Sequence, residues 1–157
     1  MAAIMLPELK TFFIAMSPLV ELRGAIPVAL QVYDLPVWSA FALSVSGNIF
    51  PVFFILHFLE SVSDYLSRRS LFFNRFFIRL FSRTRRKNEK KFDKWGKLAL
   101  VIFVAIPLPL TGAWTGALCA FLFGIRPKEA FPLIFAGVVI AGAAVTLLAL
   151  GIFRFIG

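Results

Sequence analysis

Four long apolar segments dominate this chain of 157 residues and leave it few folds to adopt. They run roughly over 11–33, 37–59, 98–125 and 130–155. Apolar blocks of this length, rather than short periodic stripes, are typical of helices that enter a membrane. Hydrophobic residues make up 60% of the chain, which is more than soluble domains carry. We therefore expect an all-α integral membrane protein.

The second and fourth segments read as simple transmembrane helices. At 1.5 Å per residue, each is long enough to cross roughly 30 Å of hydrocarbon. Pro51 would kink the second segment, which membrane helices tolerate. We predict transmembrane helices over 37–59 and 130–155.

The first and third segments are interrupted near their middles. The helix-breaking residues are Pro18, Gly24 and Pro27 in the first segment and Pro107, Pro109 and Gly112 in the third. A proline inside a helix removes a backbone hydrogen bond and clashes with the preceding turn. Each arm of about ten residues reaches about 15 Å, or half the membrane. We therefore predict re-entrant helical hairpins over 8–33 and 98–125, with four ordinary kinked spans as the alternative.

The two halves of the chain resemble each other. The heptapeptide "GAIPVAL" at 24–30 matches "GAWTGAL" at 112–118 in four positions, with an offset of 112 − 24 = 88. Gly47 and Gly137 follow in the same order. We predict two repeats, 1–60 and 98–157, each consisting of one hairpin and one transmembrane helix. A repeat that crosses the membrane once forces its copy to start from the other side, so the repeats would be inverted.

A basic linker, 61–97, separates the predicted repeats. Between residues 68 and 97 there are twelve Lys and Arg and two acidic residues, so this window carries 12 − 2 = +10. Its Phe and Arg residues recur at helical spacing, which predicts an amphipathic helix at an anionic membrane surface. By the positive-inside rule we expect the linker to be cytoplasmic, in a multi-pass protein of a cell membrane. Base-reading groups on a soluble module are absent from the sequence, so we expect no nucleic-acid partner.

Two charges, Glu21 and Arg23, fall in the middle of the first apolar segment. A charge at mid-membrane costs roughly 3 kcal/mol or more, so it usually marks a functional site. Arg23 is a permanent cation whose donors match phosphate or carboxylate, and we predict that it binds an anionic head group. Glu21 is the candidate for coupling to protons. The alternative is an internal ion pair that braces the hairpin.

The other candidate substrate-binding residues are Gly24, Thr111, Gly112, Trp114 and Thr115. The hydroxyls and the indole of the second hairpin would complete a polar pocket opposite Arg23, or would serve as local caps for broken backbone. The glycines, with Gly116, would let the two hairpin tips approach closely, or would serve helix packing. Asn48 is expected to hydrogen-bond the first hairpin.

We expect no enzyme. The sequence has no Ser/His/Asp set, no metal-ligand spacing and no phosphate-binding loop, so we predict no catalytic residue, metal or cofactor. The lone Cys119 is expected to be a buried hydrophobe.

The stretches "SPLVELRGAIPVAL" and "FVAIPLPLTGAWTGALCAFLFGI" resemble the small multidrug export proteins of bacteria and archaea, over nearly the whole chain. That family is similar to the DedA/VTT superfamily, whose members carry two re-entrant hairpins in inverted repeats. The resemblance implies a location in a prokaryotic inner membrane and the movement of phosphorylated polyprenyl carriers or phospholipids between leaflets, with dependence on the proton-motive force. Those relatives use intramembrane acids and arginines. Glu21 and Arg23 match that pattern. Thr111 and Gly112 stand where a strict repeat would bring a second charge.

Three functions follow from these observations. The first is translocation of an anionic lipid such as a polyprenyl phosphate, with that phosphorylated membrane lipid as partner. The second is proton-coupled export of small cationic drugs, and the third is a membrane scaffold that transports nothing. A cation site needs an acid without a compensating base, so Arg23 beside Glu21 favours the first. The short chain suggests a homodimer, in which the small-residue run 136–145 packs either on a second protomer or on the second apolar segment.

Overall fold

A computed structural model describes residues 2–69, 71–72, 74–75, 78–79, 89–107 and 111–156. Over these residues the chain forms helices and no strand, which confirms the all-α prediction. The helices are α1 (Ala2–Met16), α2 (Glu21–Gln31), α3 (Val37–Arg69), α4 (Glu89–Ala105), α5 (Ala113–Leu122) and α6 (Pro127–Ile156).

Both interrupted segments are divided into two helices. The first break covers 17–20, around Pro18, and the second begins after Ala105 and ends before Ala113. The prediction that Gly24 and Pro27 also break the first segment is wrong, because both lie inside α2. The Gly24 N–H continues the helical ladder by donating to the Val20 carbonyl at 3.2 Å. Pro109 lies outside the described residues.

The two long helices exceed their predicted bounds. α3 starts at Val37 as predicted but runs ten residues past 59, and α6 starts at Pro127 rather than at 130. Proline suits the first position of a helix because its missing N–H would be unpaired there. Stretches Val37–Tyr65 and Pro127–Gly151 are long and apolar enough to span a membrane. Only 44% of each spanning window is buried within the protein, so much of their apolar surface faces outward.

The linker is described only in part. Residues 61–69 belong to α3 and 89–97 to α4. Leu71, Phe72 and Ile78 are strongly exposed. Most of the predicted aromatic and basic stripe, including Phe73, Phe76, Phe77, Leu80, Arg83 and Arg86, lies outside the described residues, so the amphipathic linker helix stays a prediction.

Two glycines, one in each long helix, let a shorter helix pack closely against that long helix in the same way. A Cβ at Gly47 of α3 would meet the Phe12 carbonyl and Ala15 of α1. A Cβ at Gly137 of α6 would meet the Val101 carbonyl and Val104 of α4. The two glycines are 137 − 47 = 90 residues apart. The residues that they contact are also related by one offset, since 101 − 12 and 104 − 15 are both 89. The two contacts are therefore equivalent. The absent side chains let backbone approach backbone at both places.

Within each half, the first helix runs in the same direction as the long helix. Leu9 of α1 shares a cleft with Leu43, and Phe12 lies further along against Gly47 and the Phe50 ring. In the second half, the Lys97 ammonium lies 3.1 Å from the Glu129 carboxylate, and Val101 and Val104 lie against Gly137. Contacts that advance together along both helices indicate parallel helices.

The two long helices are antiparallel. Gly142 of α6 lies against Phe41 and Val45 of α3, whereas the Phe131 ring lies 6.3 Å from that of Phe53. Their shared core consists of small and branched side chains, among them Val45, Val52, Ile134, Val138 and Ala141. The contact at Gly142 shows the small-residue run packing within the chain, on the second apolar segment. The inverted repeat, the re-entrant hairpins and the homodimer stay predictions.

Candidate functional site

The two breaks in the chain meet through side chains of both halves. The Arg23 guanidinium donates to the Thr111 carbonyl and to the Thr111 hydroxyl, the latter at 3.3 Å. In the reverse direction, the Trp114 indole N–H donates to the Met16 carbonyl at 3.3 Å. In each half, the helix that follows the break thus supplies a donor to the other half. The residues joined are 88 and 98 positions apart in sequence.

Glu21 is held at the start of two helices at once. It opens α2 with a φ of 51°, in the left-handed region that residues with a side chain rarely adopt. Its carboxylate oxygens occupy the space where a Cβ on Gly112 would lie. The backbone N–H of Trp114, in the first turn of α5, donates to this carboxylate. A helix N-terminus favours an anion, so α5 stabilises the charge of Glu21.

The pair Glu21 and Arg23 is close but not tightly bound. Arg23 Nη2 lies 3.8 Å from Glu21 Oε2, and the two side chains are 21% and 10% exposed. Each charge has a second partner in the other half, Thr111 for the arginine and the α5 amide for the glutamate. The pair is therefore both an ion pair, as the structural alternative expected, and a bridge between the two breaks. Its location among buried residues makes each partner costly to remove.

The second break is stabilised by its own hydroxyls. Thr115 Oγ1 accepts from the Gly112 N–H at 2.9 Å, which satisfies one of the donors before α5. The Thr111 hydroxyl donates to the Ile106 carbonyl at 2.8 Å. Thr115 is therefore a local cap, whereas Thr111 and Trp114 also bond across to the first break.

The three glycines do not share one role. Gly112 lies against the Glu21 carboxylate of the first half, where a Cβ would have no room. Gly24 lies against Val20 of its own half, and Gly116 lies against Val104 and Ile134 of its own half. Gly24 and Gly116 thus contact side chains of their own halves, as the helix-packing alternative expects, and a role for them in the approach of the tips stays a prediction.

Two buried polar side chains of α3 lie beside this region. Asn48 is 1% exposed and Ser44 is fully buried, and neither Asn48 Oδ1 nor Ser44 Oγ has a hydrogen-bond partner. The expected bond from Asn48 to the first hairpin is thus not made by its side-chain oxygen. Ser44 is not among the predicted site residues, because a serine taken alone does not stand out in an apolar segment. The signal that was available is its spacing of four from Asn48, which puts both on one side of the helix.

Within the described residues, no three His, Cys, Asp or Glu side chains lie together where they could hold a metal ion. His57, near the far end of the α3 span, is exposed and stacks on Phe53 at 6.3 Å.

The fold and the site together define a class. Two long apolar helices of opposite direction, each with a shorter helix pair beside it, enclose an arginine and a glutamate where the pairs meet. Small helical membrane proteins with a central polar site have this form. Residues 21–144 match the family described as "Putative small multi-drug export protein". The match covers more than half of the chain, so the chain belongs to this family. No curated protein and no solved structure matches, so the likeness to the DedA/VTT superfamily stays a prediction.

Proposed function

We propose that the chain is a small membrane transporter built from two inverted repeats, each a re-entrant hairpin and one transmembrane helix. Helix direction supports this arrangement, since α1 is parallel to α3, α4 is parallel to α6, and α3 is antiparallel to α6. The position of the two breaks along the long helices also supports this arrangement. Gly47 and Gly137 each lie ten residues into their long helices, or about 15 Å at 1.5 Å per residue. Because the short helices end just beyond these glycines, both tips lie near mid-membrane.

Exposed tryptophans support the same membrane position. Trp38, at the start of α3, is 83% exposed, and Trp95 of α4 is 65% exposed. Lys97 lies beside Glu129, and α6 runs antiparallel to α3 with Phe131 beside Phe53, so Trp95 is level with residues 57–58 of α3. The two rings are then about 30 Å apart, the thickness of the hydrocarbon layer, and tryptophan favours both interfaces. The basic linker continues from the Trp95 side, which would be cytoplasmic.

We infer that the central site binds the phosphate of an anionic lipid, for which a polyprenyl phosphate is the leading candidate. The observation that carries this inference is the partner of Arg23. Its guanidinium donates to the neutral Thr111 carbonyl and lies 3.8 Å from Glu21, so a phosphate would offer it a stronger acceptor. The N-terminus of α5, which now holds the Glu21 carboxylate, is a second anion-binding position.

Competition between Glu21 and the ligand would couple transport to protons. A phosphate that takes the α5 amide and Arg23 must displace the Glu21 carboxylate. Protonation of Glu21 favours that exchange, because a neutral carboxyl is a weaker partner for the arginine and for the helix N-terminus. Displacement also breaks the contacts that Glu21 and Arg23 make with the second half, which would loosen the junction between the hairpins.

Export of small cationic drugs is the second candidate, and the family's name favours it. In that mechanism a cation would bind Glu21 after a proton leaves. The geometry is less suited to it, since Arg23 and the α5 N-terminus already compensate the carboxylate. A scaffold without transport is the third candidate, and it predicts that replacing both charges leaves activity unchanged.

Thermal unfolding of the purified protein in detergent tests these candidates. The protein is titrated with a polyprenyl phosphate and, separately, with tetraphenylphosphonium. A ligand at 100 times its Kd stabilises the folded state by about 2.7 kcal/mol, on the order of 5 °C or more in Tm. We expect this shift with the phosphate, its loss in Arg23→Ala, and its retention in Arg126→Ala, which removes an exposed arginine away from the tips. A shift with the cation alone, kept in Arg23→Ala and lost in Glu21→Gln, would instead establish the drug-export function.

A further inference from the structure

Two buried oxygens in α3 lack the partners that buried oxygens normally have. Thr11, Ser46 and Thr146 each donate their hydroxyl to the carbonyl four residues earlier, at 2.9, 2.7 and 2.8 Å. Ser44 does not, although it is fully buried, and Asn48 Oδ1 is also without a partner. Native structures satisfy such groups, and a bound water is the usual partner when protein atoms are missing.

The second half shows that the fold does not need polar side chains there. Gly47 and Gly137 make equivalent contacts, so an offset of 90 relates α3 to α6. It pairs Ser44 with Ile134 and Asn48 with Val138, both of which are fully buried. The same packing is thus filled by apolar groups in one repeat and by two unpartnered polar groups in the other. A purely structural role would not favour the costlier choice.

The position of the pair relates it to Glu21. Residues four apart on a helix have Cβ atoms about 5–6 Å apart, a gap that one water can bridge. Asn48 follows Gly47, which packs near the end of α1, so Asn48 lies at the depth of the first tip. Ser44 lies one turn closer to the end where α1 and α3 begin. From Val37 to Leu56, α3 has no ionisable side chain, so these atoms are among the few on α3 that could conduct a proton.

We propose that Ser44 and Asn48 hold buried water and form the inner part of a hydrated path through which protons reach Glu21 from the Trp38 side. Glu21 and Arg23 are the charged groups at its inner end. The charged groups at its entrance are Glu8 and Lys10 of α1 and Asp34 of the loop after α2. The sequence of α5 has no ionisable group apart from Cys119, and the ionisable groups of α6 lie near the ends of that helix. The hydration stands on its own evidence, whereas the role of delivering protons rests on the function proposed for Glu21.

Silver ions test the hydration, because Ag⁺ enters narrow water-filled paths and replaces the proton of a thiol. In a Cys119→Ala background, Ser44→Cys and its repeat equivalent Ile134→Cys are compared in membrane vesicles. After exposure to Ag⁺, the protein is denatured and the remaining free thiol is tagged with a polyethylene-glycol maleimide. We expect Ag⁺ to protect Ser44→Cys at least tenfold faster than Ile134→Cys.

Equal rates at the two positions, fast or slow, would overturn the hydrated path. If Ser44→Cys does not fold, the pair Asn48→Cys and Val138→Cys makes the same comparison. The result is independent of transport, so it separates two failures. If Ag⁺ protects the thiol but the phosphate does not stabilise the protein, the proposed substrate is contradicted and the hydrated path is supported. If the phosphate stabilises the protein but Ag⁺ does not protect the thiol, the hydrated path is contradicted and the proposed substrate is supported.

Proton delivery is tested by Asn48→Val, which copies the residue of the other repeat. We expect it to keep the phosphate-induced Tm shift and to lower pH-driven substrate flux in proteoliposomes at least fivefold. Unchanged flux would show that protons reach Glu21 by another way.

Discussion

Replacing Gly112 with alanine tests the contact that joins the two halves. Gly112 has φ −131° and ψ −168°, an extended conformation that alanine adopts without strain. The added Cβ would fall on the carboxylate of Glu21, so the substitution acts on that contact and not on the local backbone. Glu21 would have to leave its place at the N-terminus of α5.

The cost follows from the interactions that Glu21 loses. A hydrogen bond to a charged group contributes about 1.5–3 kcal/mol, and the carboxylate would lose the one from Trp114. The Arg23 charge would keep the Thr111 carbonyl but lose its counter-ion. We expect Gly112→Ala to lower the free energy of unfolding by about 2–3 kcal/mol, or Tm by roughly 5–10 °C for a chain of this size.

The assay is thermal unfolding in detergent, followed by intrinsic tryptophan fluorescence. Gly151→Ala is the matched control, because a Cβ there has no atom within 4 Å. It should leave Tm unchanged or raise it slightly, as alanine favours a helix by up to about 1 kcal/mol. The double variant with Glu21→Ala completes a thermodynamic cycle, since removing the carboxylate removes the clash.

Two results would refute the reasoning. One is a Gly112→Ala protein whose Tm lies within 1 °C of the wild-type value, because the expected loss in the free energy of unfolding is about 2 kcal/mol. The other is strict additivity of Gly112→Ala and Glu21→Ala, because residues in contact should show a coupling of about 0.5–3 kcal/mol.

Three further predictions concern the supporting contacts. Gly47→Ala and Gly137→Ala should each cost about 1–3 kcal/mol of stability, because each Cβ would meet backbone of the helix beneath; a melt in which only one is affected would contradict their equivalence. Trp114→Phe should cost about 1 kcal/mol, since it leaves a carbonyl of the first tip without its donor, and the loss should be visible as a lower Tm. Lys97→Met should change stability by less than about 1 kcal/mol, because its pair with Glu129 is partly exposed; a larger loss on chemical denaturation would show a role beyond this pair.

The broad fold could be predicted from the sequence because hydropathy and proline report on each segment locally. The apolar blocks gave the long helices, and Pro18 and Pro107 marked the breaks. Local rules overstated the effect of Pro27, whose helix is stabilised by packing of buried neighbours such as Ile26. They also ended α3 too early, since a helix can continue beyond the apolar layer into polar sequence.

The sequence predicts which residues belong to the candidate site better than it predicts the bonds between them. Glu21 and Arg23 stand out as charges in an apolar segment. The likeness of the two halves, at an offset of 88, predicts Thr111 and Trp114 opposite Arg23. It does not predict which atoms bond across these roughly 90 residues, because that depends on how the two halves pack. The unpartnered oxygen of Ser44 was out of reach for a related reason: an unmet hydrogen bond is a property of the surroundings, which only the folded chain supplies.

The two halves of the chain share their glycine contacts but not their polar groups. Gly47 and Gly137 make equivalent contacts, whereas, among the residues that the structure describes, Glu21, Arg23 and the two unpartnered oxygens of α3 all lie in the first half. In the proposed inverted arrangement, an exchange of shapes between the halves turns an outward-facing protein into an inward-facing one. With identical halves, those two states would have equal energies. Because the two halves differ, the outward-facing and inward-facing states have different energies. One resting orientation should therefore predominate, and the apparent affinity for substrate should differ between the two faces of the membrane.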